Sequence, residues 1–222
     1  MSRSIFWRIV RRDLQVSWIL MGTALVLGII AFVFAGRGKV GGFVSILLLI
    51  CAGIAPGVFI CALFIYGERK DKSRLFSLSL PISPARYAMA KATAASIAYL
   101  MPWAALALLA LIGYTLLSVP SGAAPFMTAL WLYLLDLFCL FLCITLVTDH
   151  EGWFTAGIVL VNTSIAPFMF FMQNLPSISS HMNDARAFWA PTVLTTIVIE
   201  IAIAAVIVAF TVYRISRTRD FV

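Results

Sequence analysis

Charge is what this sequence has least of. Asp, Glu, Lys and Arg together make up only 11% of its 222 residues, against about 25% in an ordinary soluble domain. A soluble enzyme and a disordered chain are both excluded by that shortage. There are four cysteines, none in a C-x-x-C pair, and the apolar excess of the chain excludes a disulfide-stapled secreted domain. Cys51, Cys61, Cys139 and Cys143 all fall in apolar stretches, where cysteine behaves as a small hydrophobe, and neither a disulfide nor a metal is argued. With two histidines there is no His cluster, and no Ser-His arrangement or paired catalytic carboxylates support an enzyme. Nothing resembles G-x-x-x-x-G-K-[ST], so the chain has no visible means of cradling the phosphates of ATP.

What fills the sequence instead is apolar side chain: 63% of residues, with a mean hydropathy of +1.04. A globule of this size cannot hide that much from water, so the excess must face lipid. A membrane helix needs about 20 residues, so six would leave no extramembrane domain of useful size. The apolar runs cover about 17–35, 43–66, 88–117, 126–148, 153–173 and 190–213. The expected fold is therefore an all-α integral membrane domain of six transmembrane helices. Ahead of the first run, Phe6, Val10 and Leu14 recur every four residues, with Arg8, Arg11, Arg12 and Gln15 on the other side. This predicts an amphipathic interfacial helix over 1–16, with its arginines reaching lipid phosphates. A signal peptide cleaved after Val33-Phe34-Ala35, or a twin-arginine signal at Arg11-Arg12, is the rival reading. The 17–35 run exceeds an h-region of about 7–15 residues, and further spans follow it.

The net charge of +7 is a matter of topology. With six spans, 13 of the 16 Lys and Arg fall on the side that holds both termini, and only Arg37, Lys39 and Arg186 on the other. The excess of basic residues predicts cytoplasmic termini, favours contact with anionic lipid and leaves nucleic acid no role as a partner.

The richest polar stretch, 67–87, connects the second and third runs. Its charges give way to Leu75, Phe76, Leu78 and Leu80, which can clasp an apolar surface. Pro81 should end a short helix, and Ser83-Pro84 reads as the N-cap and first position of the next. A solvated loop that only sets topology is the alternative. The run Glu68-Arg69-Lys70-Asp71, then Ser79-Leu80-Pro81-Ile82-Ser83, Arg86-Tyr87 and Lys91 resembles the same connection in type-2 ATP-binding-cassette (ABC) permeases. The Leu-Pro-Ile-Ser core is its most specific part, and the resemblance extends more weakly over the whole chain. Pro84 stands where many members carry a basic residue, which leaves the substrate open.

The resemblance implies a cytoplasmic coupling helix over 68–80 that rests in a groove of a separate ATP-binding subunit. Glu68, Arg69, Lys70, Asp71 and Arg74 would form the charged rim of that contact, with Leu75, Phe76 and Leu78 at its apolar centre. It further implies a homodimer in a bacterial plasma membrane, paired with two ATP-binding subunits. ATP and Mg would then sit on those partners and no cofactor on this chain, which would export a peptide, drug or lipid-like substrate.

Asp136 and Glu200 are the only carboxylates well inside apolar runs, each about ten residues, or roughly 15 Å, from the outer end. Either they line a path for a cationic or polar substrate, or a protonated carboxyl holds the bundle together by hydrogen bonds. If they are proton or cation sites, the chain is a secondary transporter or channel instead. Asp149-His150-Glu151 reads as a polar turn or a second contact with the ATPase, since adjacent residues rarely converge on a metal. Gly53, Pro56 and Gly57 suggest close helix packing and a kink, and Pro102 and Pro167 interrupt two further runs. Residues 174–189 are too polar to span: they are either short helices dipping into the outer leaflet, like the extracellular gate of the family, or a surface loop.

Overall fold

A computed structural model describes residues 2–35, 37–68, 83–116, 121–148, 150–182, 184 and 186–217. Among these the chain is all-helical, and six helices are long and apolar enough to cross a membrane. They are α1 (Ser2–Ala35), α2 (Gly38–Cys61), α3 (Pro84–Leu116), α4 (Ala124–Val147), α5 (Glu151–Gln173) and α7 (Pro191–Arg217), with a single turn, α6 (Pro176–Ser179), before the last. The chain is a multi-pass membrane protein.

The expected break between an interfacial helix and a first span at 16/17 is absent. Helix α1 is continuous over 34 residues, about 51 Å at 1.5 Å per residue, well beyond the hydrocarbon thickness. Continuity follows from its inward seam: Val10, Asp13, Ser17, Ala24, Gly28 and Ala31 are all buried and lie at heptad spacing on one stripe. Ser17, where the second segment was expected to begin, donates back to the Leu14 carbonyl at 3.0 Å and stays helical. That seam packs against α2 and α3.

Helix α4 is the centre of the bundle. Half of its most apolar stretch is buried, against 11% for α7, and it packs on α2, α3, α5 and α7. Where no water can satisfy backbone carbonyls, aromatic side chains reach them. Trp103 and Trp131 donate to each other's carbonyls at 3.2 and 3.3 Å, and Tyr99 Oη donates to Leu134 at 3.1 Å. Tyr99 also stacks on Phe138, and Tyr133 on Phe168, with ring centroids 3.8 and 3.9 Å apart. Gly53 and Gly57 make this closeness possible. A Cβ on Gly53 would lie 2.6 Å from Leu134 Cδ1, and one on Gly57 would lie 3.0 Å from Phe138 Cδ2. Pro56, Pro102 and Pro167 sit within continuous helices.

The polar stretch before α7 folds back on the bundle. Ile178 of α6 is buried among Phe126, Met172 and Val193. The Gly122 amide donates to the Asp184 carbonyl at 3.0 Å. A Cβ at Gly122 would lie 2.0 Å from the His181 carbonyl oxygen, so only glycine fits there.

Candidate functional site: an ionic ring at the root of the charged connection

Helix α2 does not end as an α-helix. Residues Ala62–Gly67 form a π-helical turn, a one-residue excess that is frequent at functional sites. The turn keeps Phe64 and Ile65 in the core. It sends Tyr66 to one side, where its hydroxyl donates to Glu151 and its ring stacks on Phe154 with centroids 4.3 Å apart. Glu68 follows on the other side.

Past the charged connection, α3 begins as its residues dictate. Pro84 is its first residue, and Ser83 Oγ accepts the Arg86 amide at 3.4 Å. Tyr87 and Lys91 are four residues apart and therefore share a face. Both reach Glu68: the Tyr87 hydroxyl donates to Oε2, and Lys91 Nζ lies 2.8 Å from Oε1.

The third contributor is α1. Asp13 occupies its apolar seam, and Asp13 Oδ2 lies 2.7 Å from Lys91 Nζ. Arg12 contacts both acids, at 2.9 Å from Asp13 Oδ1 and 2.6 Å from Glu68 Oε1. The four charges therefore alternate around a closed ring, Arg12–Asp13–Lys91–Glu68, in which each cation touches both anions. The Asp13 and Lys91 side chains are each 3% exposed, whereas Arg12 is 55% exposed and faces outward. The aliphatic and ammonium end of Lys91 also lies over the Phe64 and Tyr87 rings, at 5.8 and 5.7 Å.

The electrostatics at Glu68 follow from this geometry. Burial alone would raise its carboxyl, but hydrogen bonds from Lys91 and Tyr87 outweigh burial, and the charges of Lys91 and Arg12 add to them. The result is a carboxyl held below the ordinary glutamate value.

Of the residues expected to form the coupling contact, Glu68 is in the ring. Arg69, Lys70, Asp71, Arg74, Leu75, Phe76, Leu78 and Pro81 lie outside the described residues. Arg12, expected to reach lipid phosphate, is committed to Asp13 and Glu68. Asp13 was missed, although an acid on the apolar stripe of an arginine-rich helix is a signal that was there to be read. Asp149 lies outside the described residues, while Glu151 opens α5 and accepts from Tyr66.

The two carboxyls in the spans lie on helices that pack together. Glu200 lies on the narrow inward stripe of α7 with Val193, Ile197, Ala204, Thr211 and Ile215, and α7 packs on α4, which carries Asp136. Both are buried, Glu200 at 4% and Asp136 at 7% exposed. Neither oxygen of Glu200 has a hydrogen-bond partner among the described residues.

No family model, curated protein or solved structure matches this chain.

Proposed function

We propose that this chain is the membrane-spanning permease subunit of an ABC exporter. In this reading it dimerises in a bacterial plasma membrane, with both termini in the cytoplasm, and couples to a separate ATP-binding subunit. The observation that carries the reading is the ring. It ties together the two roots of the 69–82 connection, Glu68 on one side and Tyr87 and Lys91 on the other, at the basic end of the bundle. A loop that only sets topology has no need of roots fixed by buried charge. In this reading ATP and Mg sit on the partner, in keeping with the lack of a phosphate-binding loop in this sequence.

A second copy is supported by the outward face of α5. Thr155, Asn162 and Thr163 are exposed there, on a helix that crosses the membrane. Polar residues at that depth usually face protein or a water-filled path. Six helices can hardly enclose a conduit for a peptide, drug or lipid, whereas twelve related by a two-fold axis can.

The test is isolation of the tagged full chain from native membranes. An ATP-binding subunit should co-purify, and charge reversal at Arg69 and Lys70, or Leu78→Asp, should release it or uncouple its hydrolysis from export. Unchanged co-purification and normal export in those variants refute the coupling role. The unpartnered Glu200 carboxyl favours one second reading, a secondary transporter or channel with Asp136 and Glu200 as ion sites. Proteoliposomes of the chain alone should then move protons or cations without ATP, and Asp136→Asn and Glu200→Gln should abolish that flux.

A further inference from the structure

The ring joins three elements, and the permease reading uses only two of them. We infer that the N-terminal helix is a working part of the coupling apparatus. Asp13 and Lys91 are positioning residues that clamp α1 to both roots of the 69–82 connection, so that force arriving there enters the first span together with the second and third. This inference rests on the permease reading.

Three observations carry it. First, the contact is buried and specific: Asp13 and Lys91 lie 2.7 Å apart with both side chains 3% exposed. Second, the ring is closed, so displacing Glu68 disturbs both α1 cross-links, directly at Arg12 and through Lys91 at Asp13. Third, α1 can transmit what it receives. It is one unbroken helix, and the seam holding Asp13 stays buried as far as Ala31, about 27 Å further along the axis. The apolar contacts of Ile9 and Val10 with Ala90 and Ala94 flank the ring, so α1 and the start of α3 move as one body. A helix present only to rest on lipid would turn its acid outward with Arg8 and Arg11, which are both exposed.

The experiment uses spin labels at Arg8→Cys on α1 and Tyr213→Cys on α7, with the four native cysteines replaced, in the full chain purified with its ATP-binding subunit. Distances are read at rest and after trapping with ATP and vanadate. With the native ring, the 8–213 distance should shift on trapping. In Asp13→Asn/Lys91→Met, which removes both buried charges together and so leaves neither stranded, the shift should be lost while the subunit still co-purifies. Lys91→Arg, which keeps the charge, should retain the shift. A full shift in the double variant, or no shift in the native complex, overturns the inference. If no ATP-binding subunit accompanies the native chain, the permease reading fails, and the clamp is judged on the chain alone. There the double variant should broaden the 8–213 distribution, and an unchanged width overturns the clamp as well.

Discussion

Two groups of buried charge sit in this bundle, and they are built in opposite ways. At the end where α1, α2 and α3 meet, Asp13 and Lys91 are almost fully buried, yet each has its counter-charge within hydrogen-bonding distance. Between α4 and α7, Glu200 is nearly as buried, but its carboxyl oxygens have no hydrogen-bond partner among the described residues. Burying an ionisable group is costly in both places. In the ring, opposite charges and hydrogen bonds offset that cost and fix the relative position of three helices. In the acid pair nothing offsets it, and Glu200 adds no hydrogen bond to the fold. The ring is thus a structural joint that can also transmit motion. The acid pair is tolerated at a cost in stability, as groups retained for a task commonly are.

The sharpest test of this contrast is to unbalance the charge in the ring. Asp13→Asn or Lys91→Met alone takes one of two counter-charges from a buried ion, leaving Lys91 only Glu68 or Asp13 only Arg12, and should destabilise the protein by up to about 3–5 kcal/mol. The double variant should lose much less than the sum of the singles, because the Arg12–Glu68 pair that remains is balanced; thermal unfolding in detergent across the four proteins measures the difference. Additive losses would mean that the two side chains do not act as a pair. A smaller cut at the same joint is Tyr87→Phe, which removes one donor to Glu68 and should cost about 1.5 kcal/mol.

How much of this was legible beforehand depends on the range of the information. The six spans were plain, because a run of apolar residues long enough to cross a bilayer is a local property. The start of α3 at Ser83-Pro84 and the close packing at Gly53 and Gly57 were likewise legible, since capping and small-residue spacing act within a turn or two. The i, i+4 spacing of Tyr87 and Lys91 gave a shared face but not what that face meets. The ring itself could not be read. Its links join residues 56 and 78 positions apart, and periodicity gives a direction without naming a partner. The π-helical turn had no sequence signal. Arg12 was assigned to lipid because a headgroup phosphate and a protein carboxylate draw an arginine in the same way. The depth of Asp136 and Glu200 came from counting residues; that both are buried between packed helices depends on how α7 lies on α4.

At the acid pair the expected sign is reversed. Glu200→Leu removes a buried polar group that has no hydrogen bond to lose, and should raise stability by about 1 kcal/mol. Loss of transport by the same variant, with the fold intact, would assign the residue a task; unchanged transport by both Asp136→Asn and Glu200→Gln would remove both acids from the substrate path. A destabilised Glu200→Leu would show that the carboxyl is held after all, and the contrast with the ring would fail.

The smallest effect is the pH response of the ring through Glu68, and its sign is fixed by the direction of the shift. The folded state holds this carboxyl below its ordinary value of 4.5, because donation by Lys91 and Tyr87 outweighs its burial. A carboxyl that is more acidic when folded favours the folded state wherever it is ionised in both states. Its contribution is therefore full above about 4.5 and is lost as the pH falls through the lower folded value. The difference in unfolding temperature between the native chain and Glu68→Gln should stay level from pH 7 to about 5, then narrow on further acidification. A difference that moves in favour of the native chain as the pH falls below about 6 would mean that burial dominates at Glu68, and that its hydrogen bonds in the ring are weaker than their geometry implies.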